Sequence, residues 1–498
     1  MFIDARTLAS GTSVEADLCI VGAGAVGIAM ALEYNGSDKK VVVLESGGFD
    51  YEARTQSLYT GSHVGRPTYP LEINRLRYFG GTTNHWAGHC RPFDQFDFSV
   101  RDWIPHSGWP ITYEEVRPYL ERTQPILELG KYDYDSLDEY ANQLGLETLP
   151  LDSDRLISVM KHQSPPTRFG TKYRQELKES KNISVFLHSN VQELISNESA
   201  SHITSAAVAC IDGPSYTVKA KNFVLATGGL ENPRIMLLSN KSAPNGLGNE
   251  HDMVGRFYTD HLLIRPALDI SLSRKGLNFS LYTNLHKIND GTIFGILTAT
   301  EELTRREKLT RFRFHLYDTK PMYGRPIGGV FSKLDNAPEK TPLLKKPGTS
   351  ISVHMAMEPR PNPDAFVRLS DKLDFFGQRK IEVNWQVTDA DLANAHRAIE
   401  ICALEFARMG YGRAYAPILE DPDQWPRYFT SGKHHCGTTR MSDDPKTGVV
   451  DRNCKVFGVD NLYVTGSSVF PTIGHTNPTL NLVALSLRLA DHLKERMG

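Results

Sequence analysis

The chain has 498 residues, of which 40% are hydrophobic and 23% are charged, and its formal net charge is −2. The composition is typical of a soluble globular protein, and the length predicts two domains rather than a single core. The near-neutral charge offers no electrostatic basis for binding nucleic acid or an anionic membrane, and no apolar run reaches the roughly 18–20 residues of a membrane span.

The six cysteines are scattered along the chain and form no CxxC pair. This pattern predicts buried thiols in a reducing compartment rather than a disulfide framework. The N-terminal segment lacks a basic start followed by an apolar stretch, so a secretory signal is not expected. Together these features predict a cytoplasmic protein. The apolar stretch from Leu18 to Leu32 is the alternative candidate for a signal, but its glycines have another explanation.

The segment "ADLCIVGAGAVGIAMALEY" predicts a short apolar strand, a glycine turn and a helix, and "KKVVVLESGG" predicts the next buried strand. In such a unit Gly22 makes the tight turn, Gly24 lets the backbone approach a pyrophosphate, and Gly27 packs the helix against the strand. The pyrophosphate would lie at the helix N-terminus. Glu45 follows Gly22 by 23 residues, where a carboxylate meets an adenosine ribose. The unit predicts a dinucleotide without separating NAD from FAD.

The middle of the chain is less regular. Thr112 and Glu115 have the spacing of a capping box, so a helix is expected to begin there. Strands are expected in "NISVFLHSNVQELI" and "TVKAKNFVLATGG", a hairpin-like pair of a separate sheet in "ISVHMAMEPRPNPDAFVRLS" and "KIEVNWQVTDAD", and a helix ending at a glycine in "ADLANAHRAIEICALEFARMG". Residues 300–348 are rich in Lys and Arg, which favours a solvated insertion over a lid or a subunit contact.

The last third of the chain contains the most distinctive motifs. His434 opens "HHCGTTRM", a His-x-x-Gly-Thr-x-x-Met pattern. Further on, "NLYVTGSSVFP" predicts a last buried strand that runs into a glycine turn. A long amphipathic helix is expected after Pro478, beginning against whatever that turn binds.

With these motifs the chain resembles the glucose-methanol-choline (GMC) family of FAD oxidoreductases. The resemblance also includes "RYFGGTTNHWAGHCRP", "VLATGGLENPRIML" and "GRFYTDH", and it is weakest at residues 131–182 and 276–349. It implies an α/β FAD-binding Rossmann-like domain interleaved with an α+β substrate-binding domain built on an antiparallel sheet. The expected boundaries are 1–102, 183–268 and 432–498 for the FAD-binding domain and 103–182 and 269–431 for the substrate-binding domain.

The resemblance implies FAD as the cofactor and places its contacts on particular residues. The flavin-contacting loop falls on Gly80, Gly81, Thr82 and Thr83, a backbone contact to adenine on Val191, the surroundings of the flavin ring on Gly466 and Ser467, and its pyrimidine end on Pro478. His85 stands where some members attach the flavin covalently, whereas others with a very similar motif hold it without a bond. Both attachments remain open.

The resemblance also implies a reacting pair, His434 and Asn477. Alcohol oxidation by a flavin removes the hydroxyl proton and moves a hydride from carbon to N5; a neutral imidazole is suited to the first task. An amide orients the hydroxyl and stabilises the developing alkoxide. His475 is expected as a pocket residue. A metal site at His434, His435 and Cys436 is not expected, because no second ligand cluster accompanies them.

The predicted function is therefore FAD-dependent oxidation of a CH–OH group, on a sugar or glycoside, since "GGTTNHW" and "HTNPTL" are most similar to the sugar-oxidising branch. A small aromatic or aliphatic alcohol is the alternative substrate. A lyase or photodecarboxylase without net alcohol oxidation is an alternative of another class. A plain NAD(P) dehydrogenase would explain only the glycine motif. The electron acceptor (oxygen, a quinone or a redox partner) and the oligomeric state are left open.

Overall fold

The computed structural model of the chain describes residues 1–273, 276–318, 350–420 and 429–498. Within these residues the chain builds two large sheets and one small one. The first sheet contains the predicted βαβ unit. Its eight strands are β1 (Phe2–Asp4), β2 (Ser13–Val21), β3 (Val41–Leu44), β7 (Ile183–Leu187), β8 (Asn190–Ser196), β9 (Ile203–Ala209), β10 (Ser215–Leu225) and β20 (Leu462–Val464).

The strand order of this sheet is β1-β7-β3-β2-β10-β9-β8, with β20 also pairing with β10. The pairs among β1, β7, β3, β2, β10 and β20 are parallel, and β8 and β9 extend the sheet as an antiparallel edge. Both predicted strands of the glycine unit are continuous apolar runs because both faces of the sheet are covered. Helix α1 (Ala25–Leu32) connects β2 to β3, as the glycine spacing predicted.

Two long helices pack against each other. The predicted C-terminal helix spans Thr479–Met497 and is named α13; it contacts α1 and α4 (Tyr113–Ile126). The predicted capping box begins α4: Thr112 Oγ1 accepts from the Glu115 N–H at 3.2 Å, and a Glu115 carboxylate oxygen accepts from the Thr112 N–H at 2.8 Å. These two bonds satisfy two of the N–H groups that a helix start leaves free.

The second sheet has nine strands and every pairing in it is antiparallel. The strands are β5 (His89–Cys90), β6 (Leu156–Gln163), β11 (Leu262–Leu272), β12 (His286–Ile288), β13 (Gly291–Ala299), β14 (Phe312–Asp318), β15 (Ser350–Met357), β18 (Gly412–Tyr415) and β19 (Phe429–Ser431). The main order is β18-β11-β15-β14-β13-β6-β5, with β12 on β13 and β19 on β11. This is the antiparallel sheet that the family resemblance implied.

A small third sheet corrects the predicted hairpin. It consists of β4 (Ser62–His63), β16 (Phe366–Leu373) and β17 (Arg379–Asn384). The segment "ISVHMAMEPRPNPDAFVRLS" is two strands rather than one: β15 belongs to the nine-stranded sheet, and only β16 pairs with β17. The physical reason is the run of three prolines after β15, Pro359, Pro361 and Pro363, which lack the N–H that a sheet ladder needs.

The remaining helices are short, except for the predicted long one, α11. They are α2 (Ala53–Gln56), α3 (Gln95–Phe98), α5 (Leu137–Gln143), α6 (Phe169–Lys172), α7 (Arg174–Glu179), α8 (Gly228–Leu238), α9 (Ser280–Thr283), α10 (Glu301–Arg306), α11 (Asp389–Arg408) and α12 (Pro417–Glu420). Helix α10 and strand β14 show that residues 300–318 belong to the framework and not to an insertion. Residues 319–348 of the predicted basic segment lie outside the described residues.

The chain crosses between the two large sheets several times, as an interleaved fold requires. The exact domain boundaries stay a prediction. All six cysteines are buried and unpaired, as their scatter predicted. None of the helices formed by the described residues has the length and apolar character needed to cross a lipid bilayer.

Candidate active site

A cavity of about 840 Å³ lies between the two large sheets. One wall comes from the loops that follow the parallel strands β2, β3, β10 and β20, and the other from β11, β14 and β15. Ligand sites usually measure about 300–1,000 Å³, and in sheets with parallel strands they lie beyond the carboxyl ends of the strands. The cavity is therefore the candidate site on both size and position.

The cavity gathers most of the residues that the sequence singled out from distant parts of the chain. Those that line it are Gly22, Gly24, Glu45, Gly81, Thr82, Thr83, His85, Val191, His434, Gly466, Ser467, Asn477 and Pro478. Gly27, Gly80 and His475 do not line it. Helix α13 begins at the cavity wall, as predicted.

His434 and Asn477 lie side by side although 43 residues separate them, with His434 Nε2 and Asn477 Nδ2 at 3.3 Å. Asn477 is held near the start of α13, and His434 lies in the loop after β19. Asp260, just before β11, fixes that loop: its Oδ1 accepts from the His434 backbone N–H at 2.9 Å. The "TDH" of the motif "GRFYTDH" therefore positions the candidate base.

The next residue of that motif, His261, sets the tautomer of His434. The Nε2 of His261 lies 3.0 Å from the carbonyl oxygen of Gly474. A carbonyl only accepts, so His261 carries its proton on Nε2 and presents a bare Nδ1. That Nδ1 is 2.9 Å from Nδ1 of His434, which must therefore be the donor. The proton of a neutral His434 sits on Nδ1, so its Nε2 is unprotonated and accepts from Asn477 Nδ2.

Comparison with known proteins agrees with this geometry. Residues 361–486 match the family described as GMC oxidoreductase. Over 97% of the chain and 96% of the relative, it is 23% identical to a 2-methyl-1,2-propanediol dehydrogenase of Mycolicibacterium austroafricanum. It is also 23% identical to the fructose dehydrogenase large subunit of Gluconobacter japonicus, over 97% of the chain and 98% of that protein.

The fold is shared with the crystal structure of pyridoxine 4-oxidase from Mesorbium loti, with a TM-score of 0.62 and 16% identity over 96% of this chain and 99% of that one. The motifs, the fold and the full-length relatives point to one conclusion. Residues 361–486 form a GMC oxidoreductase C-terminal domain, and the chain shares the fold of GMC oxidoreductases over nearly its whole length. It is an enzyme of the FAD-dependent oxidoreductase class.

The glycine loop of this enzyme is shaped to hold a cofactor. A Cβ added at Gly22, whose φ is +105°, would come within 2.7 Å of the Ala226 carbonyl oxygen, and one at Gly27 within 1.9 Å of the Gly22 oxygen. A Cβ at Gly24 would meet no atom within 4 Å, since Gly24 lines the cavity. These positions match the predicted turn, packing and cofactor-approach roles.

The start of α1 also fits a phosphate. The N-cap residue of α1 is Gly24, which has no side chain to bond the first N–H groups of the helix. The first turn carries no acidic residue. Its free N–H groups and the helix dipole favour negative charge beside the glycine loop, where the pyrophosphate of FAD is expected. The Gly81 loop comes close to the same place, since an added Cβ there would lie 3.1 Å from Cα of Gly24.

Glu45 occupies the expected end of β3, and its carboxylate is buried. One oxygen accepts from the Ala23 N–H and the other from the Gly47 N–H, each at 3.0 Å. Burial raises the pKa of this carboxyl group, and the two backbone bonds oppose that rise. The carboxylate thus ties the glycine turn to the strand end. Oε1 also accepts from the Ser46 hydroxyl at 3.3 Å, whereas Oε2 has a second acceptor site, so the predicted ribose contact fits but stays a prediction.

Lys161 on β6 is a site residue that the sequence analysis missed. Its side chain is fully buried, and Nζ donates to Oδ1 of Asn477 at 2.5 Å. This bond orients the amide with Oδ1 towards Lys161 and Nδ2 towards His434, and burial lowers the pKa of Lys161 well below its ordinary value. The available signal was a lysine inside the alternating strand "LISVMKHQ", at a position where an apolar residue is usual.

The electrostatics of the site keep His434 neutral. Burial lowers the pKa of His434 well below its ordinary value, and His261, Arg313 and Lys161 lower it further. Burial also lowers the pKa of His261 to about 3. Both rings are therefore uncharged near neutral pH, which is the state that the tautomer assignment requires.

His475 is placed differently from the expectation. It is fully buried behind the cavity wall, with Nδ1 3.9 Å from an Asp94 oxygen, and neither ring nitrogen has a hydrogen-bond partner among the described residues. Asp94, Asp97 and His475 have metal-ligand spacing, but the guanidinium of Arg311 already pairs with both carboxylates. The cluster is a buried ion-pair network. His85, by contrast, is exposed at the cavity wall.

Proposed function

We propose that this enzyme oxidises a CH–OH group of a sugar or glycoside to a carbonyl, with His434 as the base. The proposal rests on the hydrogen-bonded chain from Gly474 through His261, His434 and Asn477 to Lys161, here called the relay. In this relay His261 leaves Nε2 of His434 unprotonated at the cavity wall. FAD, when bound, supplies the acceptor for the hydride.

Each member of the relay has one task. His434 Nε2 takes the hydroxyl proton, a contribution of about 10²–10⁴-fold for a positioned base. The resulting imidazolium keeps its Nδ1–H bond to His261. Asn477 Nδ2 donates to the substrate oxygen as negative charge develops on it. Lys161 holds that amide in the donating orientation, because it occupies the opposite end of the group.

The names of the relatives support both substrate types that the sequence suggested. Fructose dehydrogenase acts on a sugar, and 2-methyl-1,2-propanediol dehydrogenase acts on a small diol. We favour a sugar or glycoside because "GGTTNHW" and "HTNPTL" are similar to the sugar-oxidising branch. The small alcohol is the second candidate.

The test is anaerobic mixing of the holoenzyme with sugars, glycosides and small diols while the absorbance of oxidised flavin is followed. The proposal expects one class to bleach the flavin and His434→Ala to slow the bleaching by at least about 10²-fold. Oxygen or a quinone is then admitted to identify the acceptor. Flavin that no alcohol bleaches, or an unimpaired His434→Ala, would contradict the proposal and favour a family member without net alcohol oxidation.

The attachment of the flavin is tested separately by acid precipitation. A yellow pellet from the wild-type protein and a colourless one from His85→Ala would show a covalent bond at His85. Flavin found entirely in the wild-type supernatant would exclude it.

A further inference from the structure

The cavity wall formed by the nine-stranded sheet is rich in basic side chains. Arg265, Arg313, His315 and His354 line the cavity there, and Lys161 lies directly behind Asn477. These five residues are called the basic wall. The relay needs only Lys161 from this set, so the remaining basic groups call for another explanation.

The basic wall is a consequence of strand geometry. Arg313 and His315 stand two residues apart on β14 and so project from the same face of the sheet. His315 is paired in register with His354 on β15. Tyr317, the next residue on that face, has its ring 4.4 Å from that of His354. One face of the sheet thus presents a continuous polar surface to the cavity.

Arg313 is the unusual member of the basic wall. Its side chain is only 4% exposed, its Nε donates to His315 Nε2 at 3.1 Å, and Nη1 is buried with no hydrogen-bond partner among the described residues. Buried arginines are normally paired with carboxylates, because an unpaired buried charge is costly. No carboxylate among the described residues pairs with it. Burial accordingly lowers the pKa of Arg313 to about 9.

The carboxylates that line the described part of the cavity are already engaged elsewhere. Glu45 accepts from two backbone N–H groups at the end of β3. Glu231, on α8, forms ion pairs with Arg75 at 2.9 Å and with Arg77 at 3.5 Å. Neither belongs to the nine-stranded sheet. The side of the cavity that faces the relay therefore carries a buried positive charge, and the residues that the structure describes there supply no anion to balance it.

We propose that the substrate is an anionic alcohol, a hydroxy acid or sugar acid whose carboxylate binds Arg313 while its hydroxyl lies at His434. This inference rests on the proposed function and names its substrate class. A single carboxylate matches the one buried guanidinium of the basic wall, because Arg265 is exposed and Lys161 is already bonded to Asn477. Guanidinium and carboxylate form charge-assisted hydrogen bonds that satisfy Nη1.

The two ends of such a substrate are electrostatically linked. Arg313 is close enough to His434 for its charge to lower the pKa of that ring. A bound carboxylate offsets this charge, so the base becomes stronger when the substrate is in place. An uncharged alcohol would leave the guanidinium of Arg313 unpaired and His434 a weaker base. The enzyme should therefore oxidise acids faster than their neutral analogues.

The experiment compares acids with their amides in anaerobic flavin reduction by the holoenzyme. Suitable pairs are D-glucuronate with D-glucuronamide and lactate with lactamide. The carboxylate of at least one pair should be preferred in kcat/KM. Arg313→Met should reduce kcat/KM for that acid by about 10²-fold and leave the amide nearly unchanged. Arg313→Lys should retain part of the preference, and Arg305→Met, on exposed α10, should behave as wild type.

Acetate serves as a probe of binding that needs no turnover. It should perturb the flavin absorbance of the wild-type holoenzyme at concentrations where acetamide does not, and the effect should disappear in Arg313→Met. Removing an unpaired buried charge should not lower the melting temperature, so a folded variant is expected.

The outcomes separate the two proposals. Equal rates with acid and amide, affected equally by Arg313→Met, would overturn the anionic substrate while alcohol oxidation stands. Acetate binding that depends on Arg313, in a protein that no alcohol reduces, would support the anion site and contradict the proposed oxidation. Acetate binding that is indifferent to Arg313 would overturn the assignment of the site.

Discussion

The relay from Gly474 through His261 to His434 makes a strong prediction about a residue that does not line the cavity. In His261→Phe the ring volume is kept but the acceptor for the His434 Nδ1–H is lost. A buried donor left without a partner costs about 1–3 kcal/mol. That energy penalises the tautomer in which Nε2 is free, so flavin reduction should slow by about 5- to 150-fold.

The assay is anaerobic stopped-flow reduction of the flavin by the alcohol that the substrate screen identifies. We expect kcat to fall and KM to stay near the wild-type value, because His261 acts through His434 and not on the substrate. The loss should be the same at every pH above the pKa of His434, since exchange between tautomers takes up no proton. A general distortion of the site would also change KM or FAD binding.

The control is His261→Asn, which places an amide oxygen near the position of the ring Nδ1. It should restore most of the lost rate because that oxygen accepts from His434. A His261→Phe enzyme that binds FAD and reduces it at the wild-type rate would refute the tautomer assignment. An equal loss in the Asn variant would show that the bond to Gly474, and not the acceptor, is what matters.

Three further predictions follow from single contacts. Because burial lowers the pKa of His434, the second-order rate of flavin reduction should stay constant as the pH falls through 6.5 and decline only below it; a midpoint at 6.5 in the pH profile would contradict this. Arg101→Met should lower the free energy of unfolding by about 3–5 kcal/mol in chemical denaturation, because it leaves Glu358 buried without its partner at 2.8 Å, whereas a double variant that also carries Glu358→Gln should recover part of the loss. Gly27→Ala should abolish FAD retention on gel filtration, since its Cβ would lie 1.9 Å from the Gly22 oxygen; retention of the flavin would mean that the turn adapts.

Local features of the site were predictable because their physical causes are local. The spacing of Gly22, Gly24 and Gly27 needs only the geometry of one strand, one turn and one helix. The capping box at Thr112 likewise lies within four consecutive residues. The family motifs predicted Asn477 beside His434. A separation of 43 residues does not by itself imply that two side chains are in contact.

The surroundings of the base were decided by tertiary structure. Lys161 on β6 and His261 before β11 reach Asn477 and His434 only because the nine-stranded sheet brings these strands to the same cavity. His475 is close to Asn477 in sequence, yet the turn before α13 directs it into the ion-pair network.

The sequence by itself thus indicated the glycine turn, the two kinds of sheet and the candidate pair of His434 and Asn477, whose catalytic role stays a prediction. Local spacing and family motifs are sufficient for these features. Only the tertiary structure decided which tautomer His434 adopts and that Arg313 is buried without a carboxylate from the described residues. Both properties depend on which polar atoms have a hydrogen-bond partner. The packing of strands that are far apart in the chain sets these partners.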